Sequence, residues 1–375
     1  MKREIITPND GYHYFFGYYD LQPYSSDGRR HLAHRVEFFD RMPTAEDVAE
    51  LGYINIDTHS FVPVAKTRAW NFQQGALLQW FERDKSIMFN DFDGEKYISR
   101  VVDLSGRELR RYDIPVATAS VEAGVAISIN FSRVYDFRPG YGYANIPDKN
   151  KDVNLPSDDG IFLLDLKTGE YRLLHSYVDL AERFSEEPFS SHKLVVNHIN
   201  LSPKGTRYVF LLRNFDPEGK KWRTVLAAGD LMGGLTQLTK FEVNSHYSWR
   251  DERTLMIWSI LSDGRGIFFI DTVTGERELL DSPLCNKGDI HCNYAPDKAR
   301  FIGDSYPDPD KNRAIYYYDF PTKSAWELFK VYSVPTTNTD IRCDLHARWY
   351  DDGQKISYDT TENCRREICE ARELI

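Results

Sequence analysis

Gly160-Ile161-Phe162-Leu163-Leu164-Asp165-Leu166-Lys167-Thr168-Gly169-Glu170 is an apolar strand that ends in an aspartate and a Thr-Gly turn. The pattern returns at Tyr53-Ile54-Asn55-Ile56-Asp57, Val101-Val102-Asp103-Leu104-Ser105-Gly106, Leu226-Ala227-Ala228-Gly229-Asp230, Ile267-Phe268-Phe269-Ile270-Asp271 and Ile315-Tyr316-Tyr317-Tyr318-Asp319. A weaker last copy is Glu367-Ile368-Cys369-Glu370. Short apolar runs bounded by such turns read as strands of hairpins. Their recurrence within the roughly 40–50-residue period of four-stranded propeller blades predicts a propeller.

A second signature, a turn followed by an apolar strand, precedes each copy. Ser202-Pro203-Lys204-Gly205 leads into Tyr208-Val209-Phe210-Leu211-Leu212, and Asp351-Asp352-Gly353 into Lys355-Ile356-Ser357-Tyr358. Less regular copies are Pro23-Tyr24-Ser25-Ser26-Asp27-Gly28, Trp80-Phe81-Glu82-Arg83-Asp84-Lys85 and Ser120-Val121-Glu122-Ala123-Gly124. Together the signatures define seven units. The third is long, and its excess at 131–159, with Arg138-Pro139-Gly140-Tyr141-Gly142-Tyr143, reads as an inserted loop. Large loops on such a scaffold commonly serve binding.

The seventh unit has strands near His346, Ile356 and Ile368 but lacks an outer one, while Arg3-Glu4-Ile5-Ile6-Thr7 precedes the first unit with no partner. The expected fold is therefore all-β, a single domain over 1–375, a seven-bladed β-propeller closed by the N-terminal strand joining the last blade. Closure removes exposed sheet edges. Helices are expected only at 44–50, after Pro43, and at 177–184.

The formal charge of −10 argues against a nucleic-acid partner, because phosphate contacts need clustered Lys and Arg. No apolar stretch is long enough for a bilayer, and residues 1–8 carry no apolar signal core. A soluble cytoplasmic protein with no membrane partner is expected. Five cysteines, an odd number with no CxxC pair, fit reduced thiols. Cys292 and Cys343 lie close in sequence to two histidines described next, so a mixed Cys/His zinc site stands as an alternative to apolar filler.

Four histidines stand at one point of the repeat, opening the innermost strands of units four to seven. They lie in Asn197-His198-Ile199-Asn200, Ser245-His246-Tyr247-Ser248, Ile290-His291-Cys292-Asn293 and Leu345-His346-Ala347-Arg348. Equivalent positions in a closed ring of blades converge, so imidazoles are expected at the channel mouth. His13, Tyr18, Tyr19 and Asp20 of unit one and Gln73 and Gln74 of unit two would face them. Imidazole can serve there as base, acid or metal ligand. One such histidine reads as a structural cap, whereas four favour a functional role. His31, His34, His59, His175 and His192 fall outside the pattern and read as structural. Trp249 and Trp349 read as blade packing.

The His-x-x-x-Ser-Pro-type blade starts, His246 before a Trp, His291 before Ala-Pro-Asp and His346 before a Trp-x-Asp-Asp-Gly turn resemble oligogalacturonate lyases and related propeller polysaccharide lyases. The likeness lies mainly in 197–360. It implies a divalent metal, usually manganese, held mostly by histidines of the last two blades, with another histidine as base. Carried over by position, it makes His246 the base, Arg213 a partner for the substrate carboxylate, and His291 and His346 metal ligands. The family's Gln and second His before the final ligand are replaced here by Ile341 and Asp344. Asp344 suits a hard cation, Mn2+ or Ca2+; a metal-free site is the alternative. The first blades, with Tyr12-His13-Tyr14-Phe15-Phe16-Gly17-Tyr18-Tyr19-Asp20 and Trp70-Asn71-Phe72-Gln73-Gln74-Gly75, depart from the lyase pattern and point to a separate branch with another substrate.

The resemblance implies a carbon–oxygen lyase that splits uronic-acid-containing oligosaccharides by β-elimination. A base removes the proton beside the carboxylate, and a cation or arginines such as Arg213 and Arg342 stabilise the charge that develops. Tyr247 is the expected proton donor to the leaving oxygen. His198, Arg342, His13, Tyr18 and Gln74 are expected to bind substrate. Two other readings stay open: a glycoside hydrolase using a histidine or paired acids among Asp20, Asp289, Asp304 and Asp344, and a non-catalytic sugar- or protein-binding propeller whose histidines are caps.

Overall fold

A computed structural model describes residues 1–185, 192–215, 223–350 and 352–374. Seven four-stranded antiparallel sheets, six of them built from strands consecutive in sequence and the seventh completed by the N-terminal strand, make the chain an all-β, seven-bladed β-propeller. Closure follows the expected route. Lys2–Ile5 pairs with Glu367–Arg372, which continues through Lys355–Thr360 to Arg348–Trp349. Asp351, in the predicted turn of this blade, lies outside the described residues.

The recurring Asp-turn signature joins the third and fourth strands of the blades, and its cause is local. Asp165 Oδ1 accepts from the backbone N–H of Lys167 (2.7 Å) and Thr168 (2.9 Å), and Asp271 Oδ1 does the same for Val273 and Thr274. Asp103, Asp230 and Asp319 repeat the device, and in blade one Asn55, rather than Asp57, plays the part. A side chain that satisfies turn donors ends one strand and starts the next.

The chain forms two compact units, 1–111 with 282–375, and 112–281. The first holds blades one, two, six and seven, with a core that includes Ile302, Ile315, Leu345, Trp349 and Ile356. The second holds blades three, four and five around Leu211, Leu226, Trp249, Leu255 and Ile270. Both tryptophans are blade packing, as expected.

The two predicted helices have different outcomes. Tyr177–Arg183 is an α-helix with a capping box between Ser176 and Asp179. The stretch 44–50 is not helical: Asp47 Oδ2 accepts from the Thr44 N–H (2.7 Å) and hydroxyl (2.8 Å), and a strand already begins at Ala49. That side-chain turn outcompetes the first helical bonds. The insertion contains a helix that was not foreseen, Phe131–Phe137, with Asn130 accepting from the Arg133 N–H as N-cap.

Candidate functional site

In the first unit, His291 lies on the innermost strand of blade six and His346 two residues before that of blade seven. Their ring centroids are 4.6 Å apart and the rings perpendicular. With Asp344 they form a buried group whose ligand atoms all lie within 4.8 Å of one another, the one such metal-capable group among the described residues.

Each ring is held at Nδ1. His346 Nδ1 meets the Gly17 carbonyl at 2.8 Å; the carbonyl only accepts, so Nδ1 carries the proton and Nε2 the lone pair. His346 Nε2 is buried without a hydrogen-bond partner among the described residues and lies 4.0 Å from Asp344 Oδ2. His291 Nδ1 donates to Asp304 Oδ1 at 2.7 Å, and Asp304 Oδ2 accepts the His346 backbone N–H at 2.9 Å. Asp304 thus orients both histidines, the carboxylate–histidine arrangement that tunes metal ligands.

Asp344 is paired with two arginines. Arg313 Nη1 lies 2.8 Å from Oδ1 and Arg342 Nε 2.7 Å from Oδ2. Burial alone would raise its carboxyl pKa, but Arg342 and Arg313 outweigh burial and hold it well below the carboxylate range. Burial likewise opposes ionisation of Asp304, yet the His291 ring brings its pKa down to about 2. Burial, reinforced by His291, lowers the pKa of His346 well below that of free imidazole. For His291, burial is overcome by Asp304 and the pKa is raised. Tyr306 stands over the group, its centroid 5.4 Å from the Arg342 guanidinium carbon and 5.9 Å from the His291 ring.

The segment 16–19 completes this side. Arg348 donates to the carbonyls of Gly17 and Tyr18, and Asp359 accepts from the N–H groups of Phe16 and Gly17. Gly17 has φ +119°, and a Cβ there would come within 2.9 Å of the Gln74 carbonyl carbon. Only glycine suits that conformation and space. The segment sets Tyr18 edge-on to His346 at 5.1 Å and Tyr19 at 5.5 Å from His291. Gln74 approaches Gly17 through its backbone, whereas Gln73 Nε2 donates to the Arg342 carbonyl (3.0 Å). His13 stands outside this group, its ring 4.6 Å from Phe39.

In the second unit, His198 and His246 approach with ring centroids 6.0 Å apart. The strand register shifts at each, between Asn197 and Asn200 and between Asn244 and Tyr247. Such bulges re-aim side chains. His198 also has a left-handed backbone, φ +48°. Tyr141, from the insertion, sits edge-on to His198 at 5.1 Å, and Ser245 Oγ lies 3.2 Å from His246 Nδ1. The Tyr247 hydroxyl donates to the His198 carbonyl. The expected proton donor is therefore committed to the backbone, a structural clamp rather than an acid at hand. Arg213 is buried in the strand Arg207–Asn214.

Histidines outside the repeat have structural surroundings. His31 bonds Ser357 Oγ and the Leu32 carbonyl, and His34 Nε2 accepts from the Ala76 N–H. All five cysteines are free. Burial pushes the thiol pKa of Cys343 up to about 12 and that of Cys292 well above its usual value; neither belongs to the metal-capable group.

The sequence reading named His291, Asp344 and His346 as one set, and the structure brings them together. It missed Asp304 as their orienter, Arg313 as a partner of Asp344, and the Gly17 carbonyl. The signal for Asp304 was its place on the strand that pairs with that of His291.

No family model matches the chain, and no curated protein matches it. Its fold matches that of an oligogalacturonate lyase in complex with manganese, with TM-score 0.68 and 14% identity over 99% of this chain and 92% of that one. An oligogalacturonate lyase from Vibrio parahaemolyticus gives TM-score 0.69, 14% identity, and 99% and 93% coverage. A prolyl endopeptidase matches with TM-score 0.56 and 10% identity, over 98% of this chain and 49% of that one. The chain thus has an oligogalacturonate-lyase-like fold along nearly its whole length, at an identity that makes the likeness one of fold. In the described residues no helix is long and apolar enough to cross a membrane.

Proposed function

We propose that the protein is a lyase acting on uronic-acid-containing oligosaccharides by β-elimination, with a divalent cation, manganese first, at His291, Asp344 and His346. The observation that carries this reading is the buried His–Asp–His group, in a fold shared with a lyase whose structure holds manganese. Two imidazole nitrogens and a carboxylate oxygen are donors that suit such a cation. The buried Nε2 of His346 and the Nδ1 anchors on both rings fit a site built to present lone pairs. When bound, the cation draws charge from a substrate carboxylate and so acidifies the adjacent C–H.

The remaining work belongs to the chain. Asp304 and the Gly17 carbonyl orient the rings, and Arg313 and Arg342 keep Asp344 ionised. His246, the base by resemblance, takes the proton from the carbon beside the carboxylate as the neighbouring carbon–oxygen bond breaks. A double bond forms, the leaving oxygen takes a proton from solvent, and His246 later releases the proton it removed to solvent. Arg213 is the carboxylate partner in the same assignment.

The hydrolase reading needs a protonated acid near pH 7; of its four candidate acids, Asp304 and Asp344 have carboxyl pKa values lowered by their neighbours. To test the lyase reading, galacturonate oligomers are mixed with the protein in manganese or in chelator. Ultraviolet absorbance of an unsaturated product, with total mass conserved rather than increased by water, is expected with manganese. Absence of that product across a panel of uronides overturns the proposal.

A further inference from the structure

We propose that the buried Arg348–Asp359 pair positions the cation site: it holds the Gly17 carbonyl where the His346 ring must keep its proton on Nδ1 and leave the Nε2 lone pair to face Asp344. The proposal rests on the cation reading above and adds to it two residues that would touch neither cation nor substrate.

The four repeat histidines differ two residues downstream, where Asn200, Ser248 and Asn293 stand in three units and Arg348 in the last. The start of a blade therefore needs no cation at that point. Arg348 and Asp359 are nonetheless both buried, with Nη1 3.2 Å from Asp359 Oδ1. Taking two charges out of water costs stability that apolar side chains of similar volume would not. Packing alone does not account for the pair.

Its geometry does. The two side chains grip one short segment of blade one from both sides. Asp359 accepts the N–H groups of Phe16 (3.2 Å) and Gly17 (3.3 Å), while Arg348 donates to the carbonyls of Gly17 and, through Nε, Tyr18 (3.2 Å). The guanidinium carbon lies 4.9 Å from the Phe16 ring centroid. Asp359 is tied down in turn, its own N–H donating at 2.9 Å to the carbonyl of Leu345, the residue before His346. His346 has a left-handed backbone, φ +45°, and its N–H is taken by Asp304. The tautomer of its ring is what these bonds leave open, and the Gly17 carbonyl decides it. A carbonyl only accepts, so an imidazole nitrogen 2.8 Å away must bring its proton. Glycine is the residue whose backbone turns most easily, so this acceptor keeps its aim only under an outside clamp. Blade seven thus supplies both the ligand ring and the guanidinium that fixes the acceptor of that ring.

The test reads the ring first and the metal second. Metal-free intact protein with isotope-labelled histidine nitrogens is examined by NMR, with His346 assigned by its loss in His346→Gln; manganese affinity follows by calorimetry. Wild type should show His346 protonated on Nδ1 alone. Arg348→Gln and Asp359→Asn should add the Nε2-protonated form and weaken manganese binding by about 10- to 100-fold, the usual effect of losing an outer partner of a ligand. Arg348→Lys, which keeps a donor for the Gly17 carbonyl, should restore part of both. Tyr24→Phe removes a buried bond between the same two blades, to Glu370 at 2.9 Å; it should lower the melting temperature and leave tautomer and affinity as in wild type. Nε2 protonation in wild type overturns the proposal whether or not any variant folds. So does a folded Arg348→Gln with the wild-type tautomer and affinity, or an equal loss of affinity in Tyr24→Phe. If the tautomer depends on Arg348 but wild type takes up no manganese, the clamp stands and the cation reading falls. If manganese binds wild type and Arg348→Gln alike, the clamp falls and the cation reading stands.

Discussion

His291 and His346 in one unit, and His198 and His246 in the other, hold matching places in the repeat but live in different chemistry. The first pair is charge-framed. Its rings are fixed at Nδ1 by a carboxylate and a carbonyl, and its neighbour Asp344 is gripped by two arginines. The second pair is ring-framed, with Tyr141 edge-on to His198 and a serine hydroxyl beside His246. Equal position in a repeat therefore sets where an imidazole stands, while unrepeated residues decide what it does. One pair, with Asp344, has the donor set of a cation site; the proposal gives the other the base.

The sharpest break between the pairs should be kinetic. His246→Ala is expected to slow elimination by roughly 100- to 10,000-fold, the usual contribution of a general base, with the manganese content by mass spectrometry unchanged. Loss of manganese in that variant would erase the distinction. Next, Asp304→Asn should weaken manganese binding by about 10- to 100-fold, since it orients ligands rather than serving as one. Calorimetry checks this, and an unchanged affinity would move the cation elsewhere. Tyr247→Phe leaves the His198 carbonyl short of a donor, so a lower melting temperature is expected, from about 1–3 kcal/mol of lost stability, with little change in rate. A rate collapse at unchanged melting temperature would restore Tyr247 as the acid.

The smallest effect concerns acid stability. The folded pKa of Asp304 is about 2, depressed from 3.8, so its stabilisation is complete above about pH 4 and is lost as pH falls through 2. Melting temperatures measured across that window should lose part of their slope in Asp304→Asn and keep it in His246→Ala. The same slope in both variants would contradict this.

Much of the fold was legible because its cause is local and repeated. Aspartates at strand ends satisfy turn donors blade after blade, and the unpartnered segment at residues 3–7 matched the strand missing from the last unit. The failures were equally local. Thr44 and Asp47 resemble a helix start, but the same side chains close a turn. The helix Phe131–Phe137 was hidden in a segment read as loop, although Asn130 was a cap in view. Of the site, His291, Asp344 and His346 were legible by register and resemblance. Arg313 was not, because its link to Asp344 crosses from one blade to the next. Nor was the fate of Tyr247, whose hydroxyl turns to a carbonyl 49 residues away in sequence.

The bond from His346 to the Gly17 carbonyl joins residues 329 apart in sequence. During synthesis the acceptor leaves the ribosome long before its donor exists, so that centre is among the last features a nascent chain completes. Hairpins close early because their contacts are near in sequence; so distant a bond waits for large-scale loop closure. Products that stop before residue 346 would thus carry finished blades but lack the ring that meets the Gly17 carbonyl.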